Sequence, residues 1–386
     1  MCRVNADQTA RVGRSGRRRR HRLELVGIRH RHDQGHPLVI VEPLILDHDR
    51  KTTLPGLREA FSSLPPPPPA LSFADYAALP TDDRSAYDQA RDDFLRLTLR
   101  VPTPEQDLSA GILAKLISSN PRRKNSRRGL MISAPMFYGK TELALLLARS
   151  VEYEHARRYP EYADNGEVPV VWVEMTDHAT GKALLAQIIR FVTPTIALPT
   201  RITTDELRHR AVDLLRLHRT KLLVIDEAHN LGGSEPSSII KALQNESSAT
   251  VALVGISLAS GTAFGKGDGL QVTMRCDMVE LRRADETDAG RALWDRWVTT
   301  FDRNLPLCEH APGTLTRNAR ALQKAADGRL AVLALIVERL VASILDDHRR
   351  RDEQVTRHRL FTVLDGLRHT TPVRHPITIE DLVEAA

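Results

Sequence analysis

The feature that most constrains the fold is a regular alternation of short apolar segments and helical segments between Gly129 and Arg283. The apolar segments have the length and composition of strands, and we predict them at Leu130–Ser133, Pro169–Val173, Lys221–Ile225, Thr250–Val254 and Met278–Leu281. The segments between them predict helices near 140–156, 180–191, 204–217 and 237–245. Strands that alternate with helices of this length form βαβ units. The sequence therefore predicts an α/β domain with a mostly parallel sheet flanked by helices.

The regions on either side have a different character. Residues 1–70 show no sustained periodicity and end in five consecutive prolines, so we expect a disordered, basic and proline-rich N-terminal region. Residues 71–125 predict a helical lead-in to the α/β core, which we place at 126–285. Helices predicted at 286–302, 313–326 and 330–348 form a small helical domain over 286–350, which we call the helical lid. Residues 351–386 are expected to be a C-terminal tail.

Charge is distributed unevenly along the chain. Residues 1–22 contain eight arginines and one acidic residue, Asp7, whereas the whole chain carries a formal net charge of +6. The remainder of the protein is therefore nearly neutral. Arginine runs attract phosphate backbones, although a disordered segment without a binding role has the same composition. The basic segment 121–129 has two interpretations as well: a solvated connector, or a contact to DNA or nucleotide.

Composition excludes two classes of protein. The three cysteines lie far apart and lack metal-binding spacing, which argues against a disulfide framework and is typical of a reducing cytosol. No apolar run approaches the roughly 18 residues that a membrane-spanning helix needs. We therefore expect a cytoplasmic protein without a membrane partner.

The segment that opens the first βα unit has the pattern of a phosphate-binding loop. Ala134-x-x-x-x-Gly139-Lys140-Thr141 follows a predicted strand and opens a predicted helix, which is the context of a Walker A motif. Gly139 allows the chain to approach the phosphates closely, Lys140 would reach the outer phosphates, and the Thr141 hydroxyl would hold Mg²⁺. The residues predicted to contact the nucleotide are Ala134, Pro135, Tyr138, Gly139, Lys140, Thr141 and Glu142.

A second motif, LLVIDEAHN at 222–230, supplies acidic groups to the same edge of the sheet. An apolar strand that ends in carboxylates carries them to the carboxyl edge of a parallel sheet, where ligands bind in this architecture. Asp226 would hold the metal, and Glu227 would act as the base that activates water beside the γ-phosphate. An acidic helix start is the structural alternative for these two residues. The two motifs in this order predict a P-loop ATPase that uses ATP and Mg²⁺.

Further residues have candidate roles that the sequence leaves open. Ser257, after the strand at 250–254, would position the water or simply cap the strand end. Arg275 would reach the γ-phosphate site of a neighbouring subunit or form a surface salt bridge. Arg329 is a weaker candidate for contacting the nucleotide in the same chain. We interpret His229 as a polar residue at a helix start, and Trp294 and Trp297 as packing residues.

These motifs together resemble the TniB/TnsC-like transposition ATPases of the AAA+ class. The resemblance covers roughly residues 90–347 and includes YGKTE, PVVWVEM, LLVIDEAHNL, VALVGISLASG and the arginine before DMVEL. It places the nucleotide roles on Gly139, Lys140 and Thr141, the metal and water roles on Asp226 and Glu227, and the trans-acting role on Arg275. The chain departs from the family pattern in three ways: Ala134 replaces the first glycine, the loop is bulky at Phe137 and Tyr138, and Ile256 follows Gly255.

The resemblance implies a DNA-stimulated ATPase that regulates transposition, and the three departures lead us to expect slow turnover. Such a protein assembles as a homo-oligomer on double-stranded DNA and communicates with a DDE-type transposase; a target-selection protein is a further candidate partner. A P-loop NTPase switch in signalling or phage defence, acting on protein partners, is the alternative that keeps the same motifs. A DNA-binding protein with a degenerate P-loop and no enzymatic activity is a third hypothesis.

Overall fold

The computed structural model describes residues 51–383, except for 63, 196–197, 200, 233, 262–263, 348–349 and 371–376. The arginine-rich segment and the other residues up to 50 lie outside this part of the chain, so the expectation of disorder there is not addressed by the structure. Within the described residues, no helix is long and apolar enough to cross a membrane.

A five-stranded parallel sheet forms the centre of the molecule. Its strands are β1 (Gly129–Ser133), β2 (Val170–Glu174), β3 (Leu222–Asp226), β4 (Thr250–Gly255) and β5 (Cys276–Glu280). Their order is β2-β3-β4-β1-β5, and all neighbouring pairs are parallel. From β1 the chain crosses to β2 at one edge of the sheet, returns through β3 to β4 beside β1, and then passes β1 to add β5 at the other edge. This topology brings the carboxyl ends of β1, β3 and β4 close together on one edge.

Helices cover both faces of the sheet and continue before and after it. The helices up to the last strand are α1 (Leu54–Ser62), α2 (Phe73–Ala78), α3 (Thr81–Asp93), α4 (Pro104–Ser119), α5 (Lys140–Arg158), α6 (Gly181–Val192), α7 (Thr204–Leu217), α8 (Glu235–Glu246) and α9 (Gly267–Met274). Those after it are α10 (Asp288–Arg303), α11 (Thr314–Arg317), α12 (Ala319–Ala326), α13 (Leu330–Leu345) and α14 (Arg357–Thr370). Several begin at good capping residues: a Thr103–Gln106 capping box starts α4, and a Thr203–Glu206 box starts α7.

The buried apolar side chains of the described residues form two hydrophobic cores. The first surrounds the sheet, because strands covered by helices on both faces bury nearly every side chain. The second lies among the helices α10–α14, where Trp294 and Trp297 pack edge to face with ring centroids 6.0 Å apart. The indole N–H of Trp294 donates to the Ala319 carbonyl at 2.7 Å, which fits the predicted packing role of this residue.

The helical lead-in contributes to both cores. Leu113 and Leu116 of α4 pack in the first core, whereas Leu95 and Val101, which follow α3, pack in the second. Arg91 of α3, which is fully buried, adds a further contact on the side of the second core. Its guanidinium pairs with buried Glu353 at 2.5 and 3.0 Å. The segment before the sheet thereby packs against the helical domain and pairs with the connection between α13 and α14.

The structure differs from the sequence expectations in several segments. Residues within the expected N-terminal disordered region form α1, whose Leu57 and Phe61 lie in the first core because they face inward one helical turn apart. The expected C-terminal tail contains α14, which buries Leu360 and Leu364 in the second core. Helix α9 was not predicted, and strand β5 begins two residues earlier than expected.

Candidate nucleotide-binding site

The carboxyl edge of the sheet brings the two sequence motifs together. The loop 134–139 connects the end of β1 to the start of α5, and the acids of LLVIDEAHN stand at the end of β3. Strand β4 lies between β1 and β3 in the sheet. This leaves a crevice above its end, bounded by the loop on one side and the acids on the other. Ligands bind in such a crevice in open α/β sheets.

The loop adopts a conformation that its bulky residues do not obstruct. Gly139 has a left-handed backbone (φ +82°) and is the residue from which α5 begins. Phe137 is also left-handed (φ +61°), which is unusual for a bulky residue and indicates local strain. The side chains of Met136 and Phe137 are 65% and 48% exposed, so they point into solvent and away from the cradle of backbone N–H groups. The replacement of glycine by Ala134 is tolerated, because Ala134 is not among the described residues with a positive φ.

Lys140 lies at the first turn of α5 with its ammonium group turned back into the loop. Its Nζ donates to the Pro135 carbonyl at 2.9 Å, and only 8% of the residue is exposed. Burial lowers the pKa of Lys140, while the negative charges of Glu227 and Asp226 act in the opposite direction. The structure therefore brings the lysine of the loop into the electrostatic field of both acids.

The residues predicted to hold Mg²⁺ lie next to each other. The Thr141 hydroxyl is 3.5 Å from Asp226 Oδ1, and the same oxygen accepts the Glu227 backbone N–H at 2.9 Å. Burial raises the pKa of Asp226, although Lys51 and the Glu227 N–H counteract it. No cluster of three or more metal-binding side chains occurs in the described part of the chain. One carboxylate and one hydroxyl suit Mg²⁺, which takes few protein ligands and completes its shell with phosphate oxygens and water.

Glu227, the predicted base, lies next to a histidine whose role the sequence did not reveal. Its backbone is left-handed (φ +51°), and His229 Nδ1 lies 3.2 Å from its Oε2. The His229 ring lies against the end of β4: an added Cβ on Gly255 would come within 3.2 Å of His229 Nδ1. The DEAH letters alone could not identify this contact, because it depends on how the chain turns after β3.

Ser257 and Glu142 lie close to the loop but face other partners. Ser257 lines a small cavity together with Ala134 and Pro135, on the side of β1 that faces β5, whereas the acids stand on β3. Ser257 therefore shares this cavity with the start of the phosphate-binding loop. Glu142 pairs with Arg100 of the helical lead-in at 2.5 Å and lines the cavity that adjoins the loop.

The two candidate arginines lie outside the crevice of their own chain. Arg275 caps α9 just before β5, at the opposite edge of the sheet from Lys140. Its Nη1 is buried without a hydrogen-bond partner, and no ion pair of Arg275 occurs among the described residues, which disfavours the salt-bridge alternative. Arg329 is 7% exposed and donates from Nε to the Ala326 carbonyl, so its side chain is directed into the helical domain.

A cavity of about 260 Å³ adjoins the loop on the side of the helical domain. Its walls come from the loop, from the segment after α3 and from α13, and they include Tyr138, Gly139, Leu99, Leu330 and Ala334. The lining is mostly apolar, and it opens directly beside the residue that starts α5. A flat aromatic base attached to phosphates in the loop would fit this position.

The comparisons with known proteins agree with this architecture. Residues 103–281 match the family described as "Bacterial TniB protein", so the predicted resemblance is confirmed over this region. No curated protein matches the chain.

Two solved structures are similar in fold. Cdc6p from Pyrobaculum aerophilum has a TM-score of 0.50 and 17% identity, covering 74% of this chain and 72% of that chain. The ORC2 protein from Aeropyrum pernix has a TM-score of 0.51 and 12% identity, covering 70% of each chain. At these identities the likeness establishes the fold alone. The predicted fold class, an AAA+ P-loop domain followed by a helical lid, is confirmed.

Proposed function

We propose that this chain, TniB-like over residues 103–281, is an ATP-binding and ATP-hydrolysing regulator of DNA transposition. The observation that supports the proposal best is the convergence of Lys140, Thr141 and the two acids after β3 on one crevice. A phosphate-binding loop without acids could bind anions, but hydrolysis also needs a metal and a base.

In this proposal the crevice holds ATP and Mg²⁺. The backbone N–H groups of the loop and the first turn of α5 bind the phosphates, and Lys140 supplies the positive charge. Thr141 and Asp226 hold Mg²⁺, which would neutralise charge on the phosphates when bound. The apolar cavity beside Tyr138 takes the base. The solved A. pernix ORC2 structure, described as "ADPNP-ADP complexes", supports nucleotide binding by this fold.

Glu227 is the base in the proposed reaction. Its carboxylate would accept a proton from the attacking water, and the contact with His229 fixes its direction. Arg275 stabilises the developing charge from a neighbouring subunit, because its position at the far edge of the sheet excludes a role in its own site. The crevice is therefore complete only when two copies of the chain meet.

The finer parts of the proposal concern partners. We place the chain on double-stranded DNA as a homo-oligomer that communicates with a DDE-type transposase and, as a further candidate, with a target-selection protein. The match to the TniB family and the arginine-rich segment before residue 23 support this assignment. Hydrolysis is proposed to be slow and stimulated by DNA.

The test measures nucleotide binding, hydrolysis and assembly with the wild type and three variants. Lys140→Ala should abolish binding of a fluorescent ATP analogue, and Glu227→Gln should bind ATP but lose hydrolysis. Lys115→Ala, which changes an exposed lysine of α4, is the matched control and should behave as the wild type.

The assembly arm uses ATP with and without double-stranded DNA, with the Glu227→Gln protein imaged in its ATP-bound form. Filaments or rings that need both ATP and DNA, and that dissociate steeply with salt, are expected. Equal nucleotide binding by wild type and Lys140→Ala would refute the ATPase. ATP-dependent assembly that ignores DNA would instead favour the switch that acts on protein partners.

A further inference from the structure

The segment before α1 places a lysine beside the proposed metal position. Lys51 Nζ forms an ion pair with Glu174 at 2.9 Å and lies 3.5 Å from Asp226 Oδ2. It also stands 5.5 Å from the centroid of the Trp172 ring, within the range of a cation–π contact. Three independent contacts therefore hold one ammonium group at the carboxyl ends of β2 and β3.

The segment that carries Lys51 is firmly attached to the α/β core. Leu57 and Phe61 of α1 are buried among the core residues. Arg58 pairs with Glu152 at 3.1 Å and donates to the Glu167 carbonyl at 2.8 Å, both on elements of the α/β core. The backbone at Lys51 is thus held in place, and its flexible side chain, which is 22% exposed, extends to the crevice.

The electrostatics of Asp226 explain why a cation is favoured there. Its side chain is 1% exposed, and a buried carboxylate without a nearby positive charge is costly. Thr141 and the Glu227 N–H contact Oδ1, whereas Lys51 contacts Oδ2. Glu174, directly beside Asp226 in the register of β2 and β3, adds a second negative charge. An ammonium group would offset half of the negative charge of this pair of carboxylates, and a divalent metal would offset all of it.

We propose that Lys51 is an intramolecular competitor of Mg²⁺: its ammonium group pairs with Asp226 and Glu174 when the metal is absent and leaves them when Mg²⁺ binds with ATP. The inference rests on the proposed ATP site. It assigns Lys51 a role in setting the Mg²⁺ concentration at which the site fills. It also links the metal-bound state to a movement of the Lys51 side chain.

The first experiment measures the Mg²⁺ concentration that gives half-maximal binding of a fluorescent ATP analogue, with full-length protein at constant ionic strength. Lys51→Met should lower this concentration on the order of tenfold, because a cation that competes for the carboxylates is removed. Lys51→Arg keeps the charge and should remain close to the wild type. Lys115→Met, at an exposed position on α4, controls for the loss of a lysine elsewhere.

A second experiment uses the wild-type protein, so its result does not depend on the folding of a variant. Pulse acetylation followed by mass spectrometry reports how accessible the Lys51 amine is. With ATP and EDTA, Lys51 should be labelled slowly, and with ATP and Mg²⁺ the rate should rise several-fold while that of Lys115 stays constant.

Each outcome separates this inference from the proposed function. An unchanged or higher Mg²⁺ midpoint in Lys51→Met, or equal Lys51 labelling with and without Mg²⁺, overturns the competition while leaving ATP binding intact. Failure of the wild type to bind the ATP analogue at any Mg²⁺ concentration overturns the proposed function itself.

Discussion

At the scale of single residues, the contact between His229 and Glu227 shows how the proposed base is held. Glu227 directly follows a buried strand, and its own backbone is left-handed. Its side chain is therefore not held by the strand and needs another partner to fix its orientation. His229 supplies that partner from two residues further along, with its ring resting on Gly255. The histidine does not line the proposed phosphate cradle, and we therefore regard it as a positioning residue.

Replacing His229 by alanine should separate turnover from binding. We expect the ATPase kcat of His229→Ala to fall on the order of 10- to 100-fold, with the affinity for ATP nearly unchanged, because a misdirected base affects the reaction and not the ground state. His229→Asn places an amide near the position of Nδ1 and should recover part of the rate. A loss of ATP affinity that matches the loss of kcat would show a structural role instead.

At the scale of secondary-structure elements, a single carboxylate joins α10 to α11 in the helical lid. Asp302 Oδ2 accepts the backbone N–H groups of Gly313 and Thr316 at 2.8 and 3.0 Å and the Thr316 hydroxyl at 2.7 Å. Its other oxygen lies 3.4 Å from His310 Nε2. Burial by itself would raise the pKa of Asp302, but the hydrogen bonds from His310, Thr316 and Gly313 outweigh it and lower the pKa below 3.8.

This network gives the lid a pH-dependent stability. Because the folded-state pKa is lowered, the stabilisation by Asp302 is complete above the unfolded-state value of 3.8 and is lost as the pH falls through the folded-state value. Asp302→Ala should reduce the free energy of unfolding by about 2–4 kcal/mol at pH 7 and by less at pH 3. Denaturant unfolding at the two pH values measures the difference, and an equal loss at both would contradict the role of the ionised carboxylate.

At the scale of the whole molecule, the separation of Arg275 from the crevice determines how copies must associate. Arg275 precedes β5, whereas the crevice lies beyond the carboxyl end of β1. The two are therefore separated by the length of a five-residue strand, about 16 Å at about 3.3 Å per residue. Exposed apolar residues occur at both places: Met136 and Phe137 on the loop, and Leu270 and Met274 on α9. An interface that joins one edge to the other is heterologous, so it forms rings or filaments and not closed dimers.

Mixing two inactive variants tests this arrangement. The Lys140→Ala protein cannot bind ATP in its own crevice. The Arg275→Ala protein lacks the arginine that would complete the crevice of its neighbour. Because a Lys140→Ala subunit can donate Arg275 to an intact crevice, an equal mixture should regain about one quarter of the wild-type ATPase rate if subunits assort randomly. A mixture no more active than its components would argue against a trans role for Arg275.

Some elements were predictable because their signals are local. Helix α7 occurs at the predicted residues, since its capping box and apolar spacing lie within one short segment. Helix α9 was missed because its eight residues are too few for a clear period. Helix α14 was missed although Leu360, Val363, Leu364 and Leu367 have helical spacing, and its polar surroundings concealed that pattern.

The sequence by itself determined the parallel α/β core, the phosphate-binding loop and the acids after β3, because each depends on residues adjacent in the chain and on strand ends that share one edge. Tertiary structure alone placed Lys51 and Glu174 beside Asp226, turned His229 towards Glu227 and brought Ser257 to a cavity that it shares with Ala134 and Pro135. These contacts join residues through the strand order β2-β3-β4-β1-β5 and through the turns after each strand. No local pattern encodes them, since the energy that selects them comes from burying both faces of the sheet at once.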